Sequence, residues 1–252
     1  MNKRYIKGRR LLGYAVLLLC IVVFFCAIFT SVSPVKEIAA AISGGDGSET
    51  NPYIMTSVAD WKSVIDRASS ETDPTYVQLG ADITASGSFA ISGVSSGAGN
   101  AIYNGALNVP AGKFVVLDLK SYKINRGLCT VSDVSANSGG RDNGHVLTIF
   151  GNLVLDGESD VDSSVNPIGG MIMGGATSGT VGGGGVFVAN SATFTMNGGN
   201  ICYNKSRVAV DYTGGGGGVY SSGKFVMNGG NICHNYANNG TCDGGGVEIG
   251  TF

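Results

Sequence analysis

Three hydrophobic patterns divide this chain. Residues 11–30, LLGYAVLLLCIVVFFCAIFT, are twenty positions without a charge, enough for a helix to cross the ~30 Å of hydrocarbon in a bilayer. Between Ser57 and Ser69 the apolar positions take helical spacing. Trp61, Val64, Ile65 and Ala68 fall at i, i+3, i+4 and i+7 behind a capping-box-like start, Ser57-Val58-Ala59-Asp60. The spacing predicts one amphipathic helix over residues 58–69, with the single tryptophan as core. Beyond residue 182 the alternation has period two, and it recurs.

Residues 182–204 read GGGGVFVANSATFTMNGGNICYN, residues 215–235 read GGGGVYSSGKFVMNGGNICHN, and residues 244–252 read GGGVEIGTF. Each unit carries three short β-like segments, of the type GVFV, TFTMN and NICYN, separated by small residues or Asn-Gly turn signals. Three strands per unit of ~30 residues is the arithmetic of a parallel β-helix, in which each repeat makes one coil and stacks on the last at ~4.8 Å. Alternation then points Val186, Val188, Phe194, Met196 and Ile201 inward, with Val219, Phe225, Met227 and Ile232 on the neighbouring coil. Asn197 beside Asn228, and Asn200 beside Asn231, predict amide ladders. A leucine-rich horseshoe lacks its L-x-x-L-x-L pattern here, and a β-sandwich does not need near-copies of one unit.

Composition sharpens this picture. Of the 42 glycines, 29 lie after residue 138, where the repeats need tight corners. Five prolines and no G-X-Y period exclude collagen, and 43 % hydrophobic against 13 % charged residues is the reverse of a disordered composition. Lys3, Arg4, Lys7, Arg9 and Arg10 precede the apolar run, whereas from Ile42 onward 10 basic residues face 17 acidic ones, net −7. A body of that sign has no footprint for nucleic acid. The basic start and apolar run form either a secretory signal peptide or an uncleaved membrane anchor. Length favours the anchor, while the small-x-small site at Ala39-Ala40-Ala41 tips the balance towards cleavage after Ala41. In both cases positive charge stays inside and residues 42–252 are secreted or displayed at the cell surface.

The repeats resemble known families. Gly-Gly-Val followed by Phe194-Thr195-Met196-Asn197, and again by Phe225-Val226-Met227-Asn228, is similar to the paired repeats of the polymorphic outer-membrane-protein family of β-helical adhesins. The fuller unit GGGVYxxxGxFxMNGGxIxxN resembles the β-helical surface proteins of Gram-positive gut-type anaerobes. Upstream, VPAGKFVVLDLKSYKINR (109–126), HVLTIFGNLVLDG (145–157) and GSETNPYIMTSVADW (47–61) resemble further segments of those proteins. The resemblance implies an all-β fold, a right-handed parallel β-helix with about three strands per coil and a short N-terminal capping helix. Its divisions are a signal peptide or anchor (1–41), an N-terminal cap (42–74), degenerate coils (75–181) and glycine-rich repeats (182–252). It implies an adhesive or surface-display role. Neither a C-terminal barrel nor a Leu-Pro-x-Thr-Gly sorting motif is present, and the stop at Phe252 within a third repeat predicts a fragment.

Candidate chemistry is sparse. No G-x-S-x-G, H-E-x-x-H or phosphate-loop motif occurs, and His145 and His234, in different coils, read as structural. No cofactor and no catalytic residue is assigned. The enzyme alternative, a β-helix polysaccharide lyase or glycoside hydrolase, has two places to draw on. Asp118 with Lys120, Lys123 and Arg126 forms a mixed outward face, and Asp156, Glu158, Asp160 and Asp162 form an acidic run that is a weak calcium candidate without an EF-hand's ligand order. The binding alternative uses outward aromatic positions. Phe187 with Tyr220, and Tyr203 with His234, could stack into a strip for a glycan or protein partner, or stack purely for stability. The loops 205–213 and 236–243 emerge at one corner beside them. Cys202 and Cys233 share a position and are a disulfide candidate; free thiols are equally compatible, and Cys242 is a competing partner.

Overall fold

The computed structural model of this chain describes residues 42–68, 70–85, 105–135, 144–179, 182–208, 215–238 and 244–250. The apolar run 11–30, the Ala39–Ala41 site, Cys242 and parts of the two corner loops lie outside them. Among the described residues no helix is long and apolar enough to cross a membrane.

Among the described residues the fold is all-β, with one helix and four parallel sheets. The first sheet orders Tyr53–Met55, Thr75–Leu79, Phe114–Asp118, Asn152–Asp156, Thr193–Met196 and Lys224–Met227. The second runs Ile83–Thr84, Lys123–Asn125, Met171–Met173, Asn200–Cys202 and Asn231–Cys233. The third runs Leu107–Val109, Leu147–Ile149, Val186–Val188, Val219–Ser221 and Val247–Ile249. From Leu107 onward the described chain visits the third, first and second sheets in that order and then returns to the third.

Alternation explains the core, because every second side chain of a strand points to the same face. In the first sheet Val77, Leu117, Leu155, Met196 and Met227 stand in one register column. In the second, Ile83, Ile124, Ile172, Ile201 and Ile232 do the same. The third contributes Leu107, Leu147, Val186, Val219 and Val247. The expected inward residues Val186, Val188, Phe194, Met196, Ile201 and Val219 are all fully buried. Phe225 and Ile232 are partly covered, and Met227 is 46 % exposed. Each of these three sits on the last strand of its sheet, with a neighbour on one side only.

A fourth sheet was not anticipated. Ala176–Gly179, Lys205–Val208 and Tyr236–Ala237 pair in parallel, so the segments expected to leave as loops at 205 and 236 begin as strands. Their sequences ATSG, KSRV and YA share no alternation, and a parallel main-chain ladder joins them.

The helix spans Val58–Arg67, ending two residues before its expected limit. Ser57 Oγ accepts from Asp60 N–H while Asp60 Oδ2 accepts from the N–H groups of Ser57 and Thr56, a complete capping box. Trp61 and Val64 are buried, and the indole N–H donates to the Asn108 carbonyl at 2.8 Å, tying the helix to the third sheet.

Candidate functional site

Several features carry chemistry, most of them register columns. The first lies where the first sheet ends. Gln78, Asp118 and Asp156 follow one another in register, and Asn197 and Asn228 come directly after strands in the same register. Asn228 Nδ2 donates to Asn197 Oδ1 at 2.9 Å, and Asn231 Nδ2 donates to Asn200 Oδ1 at 2.9 Å, so both expected ladders are present. Asp118 accepts from its own turn, at Lys120 N–H, and pairs with Lys120 Nζ at 2.8 Å. Among the described residues no cation pairs with its neighbour Asp156. Partial burial raises the Asp156 carboxyl above its ordinary range, a hydrogen bond from Asn197 opposes this, and the charge of Asp118 adds to the rise. Two adjacent carboxyls thus sit in different environments.

Of the remaining residues expected on that mixed face, Lys123 is exposed but Arg126 is not. Its side chain is 1 % exposed and donates from Nη1 to the Ala85 carbonyl at 2.5 Å, which corrects its assignment to the solvated side. The acidic run does not converge either. Asp156 ends a strand of the first sheet, Glu158 is exposed, and Asp160 lies in an antiparallel hairpin formed by Ser159–Val161 and Pro167–Gly169. Asp162 Oδ1 accepts from the N–H groups of Ser164 and Asn166 and so closes its own turn. Among the described residues no three His, Cys, Asp or Glu side chains are grouped to hold a metal ion.

The aromatic columns divide. Phe187 and Tyr220 stack with centroids 6.0 Å apart and planes 15° apart, but they are only 4 % and 1 % exposed. His145 and Phe150 lie against Phe187 at 5.4 and 6.2 Å, and the Tyr220 hydroxyl lies so close to Gly250 that a Cβ there would be 2.2 Å from it. This pair is buried and offers no open face, although alternation sets it on the side of the strand away from Val186 and Val219. Tyr203 and His234 are different. They stack at 5.2 Å and 14°, His234 is exposed and Tyr203 half-buried. Both have left-handed backbones, φ 58° and 50°, a conformation that costs a side-chain-bearing residue roughly 1–2 kcal/mol. His145, by contrast, is buried, with Nδ1 2.5 Å from the Gly183 carbonyl oxygen, as its structural reading requires.

Beside the Tyr203 and His234 rings runs a ladder that sequence reasoning missed. Asn204 and Asn235 end their repeats, and the Asn204 side chain, fully buried, bonds to four groups: Gly175 N–H, the carbonyls of Ile172 and Cys202, and Asn235 Oδ1. The signal was there, since both NICYN and NICHN end in Asn. Glycine serves the same corner. A Cβ on Gly184 would lie 2.2 Å from the Lys205 carbonyl oxygen, and one on Gly217 would lie 2.4 Å from that of Tyr236, so the main chains meet there directly. Cys202 and Cys233 are opposed in register as free thiols.

At the N-terminal end a cleft of about 490 Å³ is lined by Asp46, Glu49, Tyr53, Arg67, Asp73 and Tyr76. The carboxyl of Asp46 is held below its ordinary range by hydrogen bonds from Ser48 and Asn51. No periodic pattern in the sequence points to this cleft.

No protein-family profile matches the chain, and neither a curated protein nor a solved structure does.

Proposed function

We propose that this chain is an exported right-handed parallel β-helix that binds a glycan or protein partner at the cell surface without catalysis. The observation that carries this reading is the cyclic order of the sheets, in which each sequence unit returns to the same register position beside the last. Such an arrangement turns a repeated residue into a straight column on a rigid face, and extended repeat surfaces are binding surfaces. Parallel strands joined by a crossover are almost always right-handed, which supports the hand. Residues 1–41 deliver the body as a cleaved signal peptide or hold it by a membrane anchor.

Within this reading the Tyr203 and His234 stack is the contact strip, because its rings reach solvent and keep a costly backbone. A glycan array and a set of matrix proteins, probed with the chain from residue 42, test it. Binding without turnover, lost on Tyr203→Ala, is the expected result. Release of unsaturated uronates or reducing ends from a polysaccharide panel would overturn it.

That last outcome belongs to a second reading, a polysaccharide lyase or hydrolase. One observation favours it: adjacent carboxyls at Asp118 and Asp156 whose environments differ, the arrangement that acid and base roles require. The net −7 of the body opposes an acidic polymer as substrate.

A further inference from the structure

Cys202 and Cys233 face one another on neighbouring parallel strands. Strands of one sheet lie ~4.8 Å apart, within the ~4.4–6.8 Å Cα separation that a disulfide spans. The two thiols are not equivalent. Cys202 is fully buried, whereas Cys233 is partly open to solvent on the last strand of its sheet. Interaction with Cys233, with burial adding to it, pushes the Cys202 thiol up, and interaction with Cys202 lowers Cys233. Cys233, the more open of the two, is therefore the sulfur placed to meet a molecule from solution. Attack on a disulfide arriving from solution needs a thiolate with access to solvent. The third described cysteine is engaged elsewhere, because Cys129 Sγ donates to the carbonyls of Gly175 and Tyr203, both at 3.3 Å.

We propose that Cys233 and Cys202 form a dithiol site oxidised by a small-molecule disulfide, with Cys233 the attacking sulfur and Cys202 the resolving one. In the first step the Cys233 thiolate attacks one sulfur of the small disulfide. A mixed disulfide forms on Cys233, the small S–S bond breaks, and one small thiol leaves with the proton that Cys233 gave up. In the second step Cys202 gives up its proton and its thiolate attacks the Cys233 sulfur; the S–S bond to the second small thiol breaks, and that thiol leaves with the proton. One small disulfide is reduced to two thiols while the protein pair is oxidised to one disulfide. The product ties residues 202 and 233 across two repeats. Tyr203 and His234 are the residues directly after each strand, so the bond also constrains the spacing of their rings. The chemistry stands whether or not those rings bind a ligand.

The test treats the chain from residue 42 with oxidised glutathione under native conditions, followed by non-reducing peptide mass mapping. The expected product is a Cys202–Cys233 crosslink that dithiothreitol reverses and that raises Tm by several degrees. Cys202→Ser should trap glutathione on Cys233, while Cys233→Ser should leave Cys202 unmodified. Native alkylation of the unsubstituted chain gives the same order without a core substitution, with Cys233 reacting at least about tenfold faster than Cys202. A crosslink through Cys129 or Cys242 instead, no crosslink at all, or equal alkylation of the two thiols overturns the proposal.

Discussion

Asn235 Oδ1 accepts from both the backbone N–H and the side-chain Nδ2 of Asn204, at 2.9 and 3.1 Å. Two consecutive repeats are thereby joined at their corner by one amide, and Asn204 passes the connection on to Gly175 N–H at 2.9 Å. Buried polar groups are costly when left unmade and cheap when paired, so this corner holds more of the stability than its polarity suggests.

Replacing Asn204 by Ala strands the Gly175 N–H and two carbonyls in the interior. The expected loss is about 2–4 kcal/mol. Asn228→Ala, at the exposed end of a single-bond ladder, should cost under about 1 kcal/mol. Guanidinium midpoints of the two variants, measured side by side, check the ratio.

Close main-chain approach sets a second expectation. Gly184→Ala should prevent the corner from closing and lower the yield of folded protein sharply, because its Cβ would meet backbone atoms at 2.2 and 2.8 Å. Gly246→Ala places its Cβ in ordinary contact, 3.7 Å from Ile232 Cγ2, and should fold. Circular dichroism of the two purified variants separates them.

Asp156 gives a pH dependence. Its carboxyl is raised in the folded protein, so the folded state holds that proton more tightly than the unfolded one. This group's contribution to stability is present at acid pH and is lost as pH rises from the unfolded value near 3.8 through the raised folded one. Asp156→Asn removes both the buried charge and its repulsion with Asp118. Tm of the variant should therefore equal or exceed the parent's at pH 7, and the difference should shrink towards pH 4. A variant less stable than the parent at pH 7 would contradict this.

The strained pair, Tyr203 and His234, separates stability from recognition. Changing Tyr203 to Gly relieves a left-handed residue, worth roughly 1–2 kcal/mol, and gives up one aromatic stack, worth roughly 0.5–1.5 kcal/mol. Stability should stay within about 1 kcal/mol of the parent, while binding to any glycan or protein found on the arrays should fall at least about tenfold. Large destabilisation without loss of binding would assign the rings to the fold instead.

Much of this architecture can be read from the chain. Period-two alternation places Val186, Phe194 and Ile201 inward, the copies at 219, 225 and 232 give the register, and Ser57 with Asp60 marks the helix start. What alternation cannot give is the surroundings of the opposite face. Phe187 and Tyr220 alternate correctly and are nonetheless buried, since His145, Phe150 and Gly250 arrive from other parts of the chain. Asp118 and Asp156 close the matching segments VVLD and LVLD, but only the structure shows Lys120 paired with one and partial burial of the other. The strands at 176, 205 and 236 pair through main-chain bonds, on which side-chain pattern leaves no trace.

The isoleucine column has a further consequence. Ile83, Ile124, Ile172, Ile201 and Ile232 are stacked neighbours, yet the steps between them along the chain are 41, 48, 29 and 31 residues. Stacking is thus indifferent to how much chain is spent between one isoleucine and the next. A connection longer than its neighbour by 19 residues (48 against 29) leaves the column in register. The protein's outer surface is free to diversify by length while its interior stays the same.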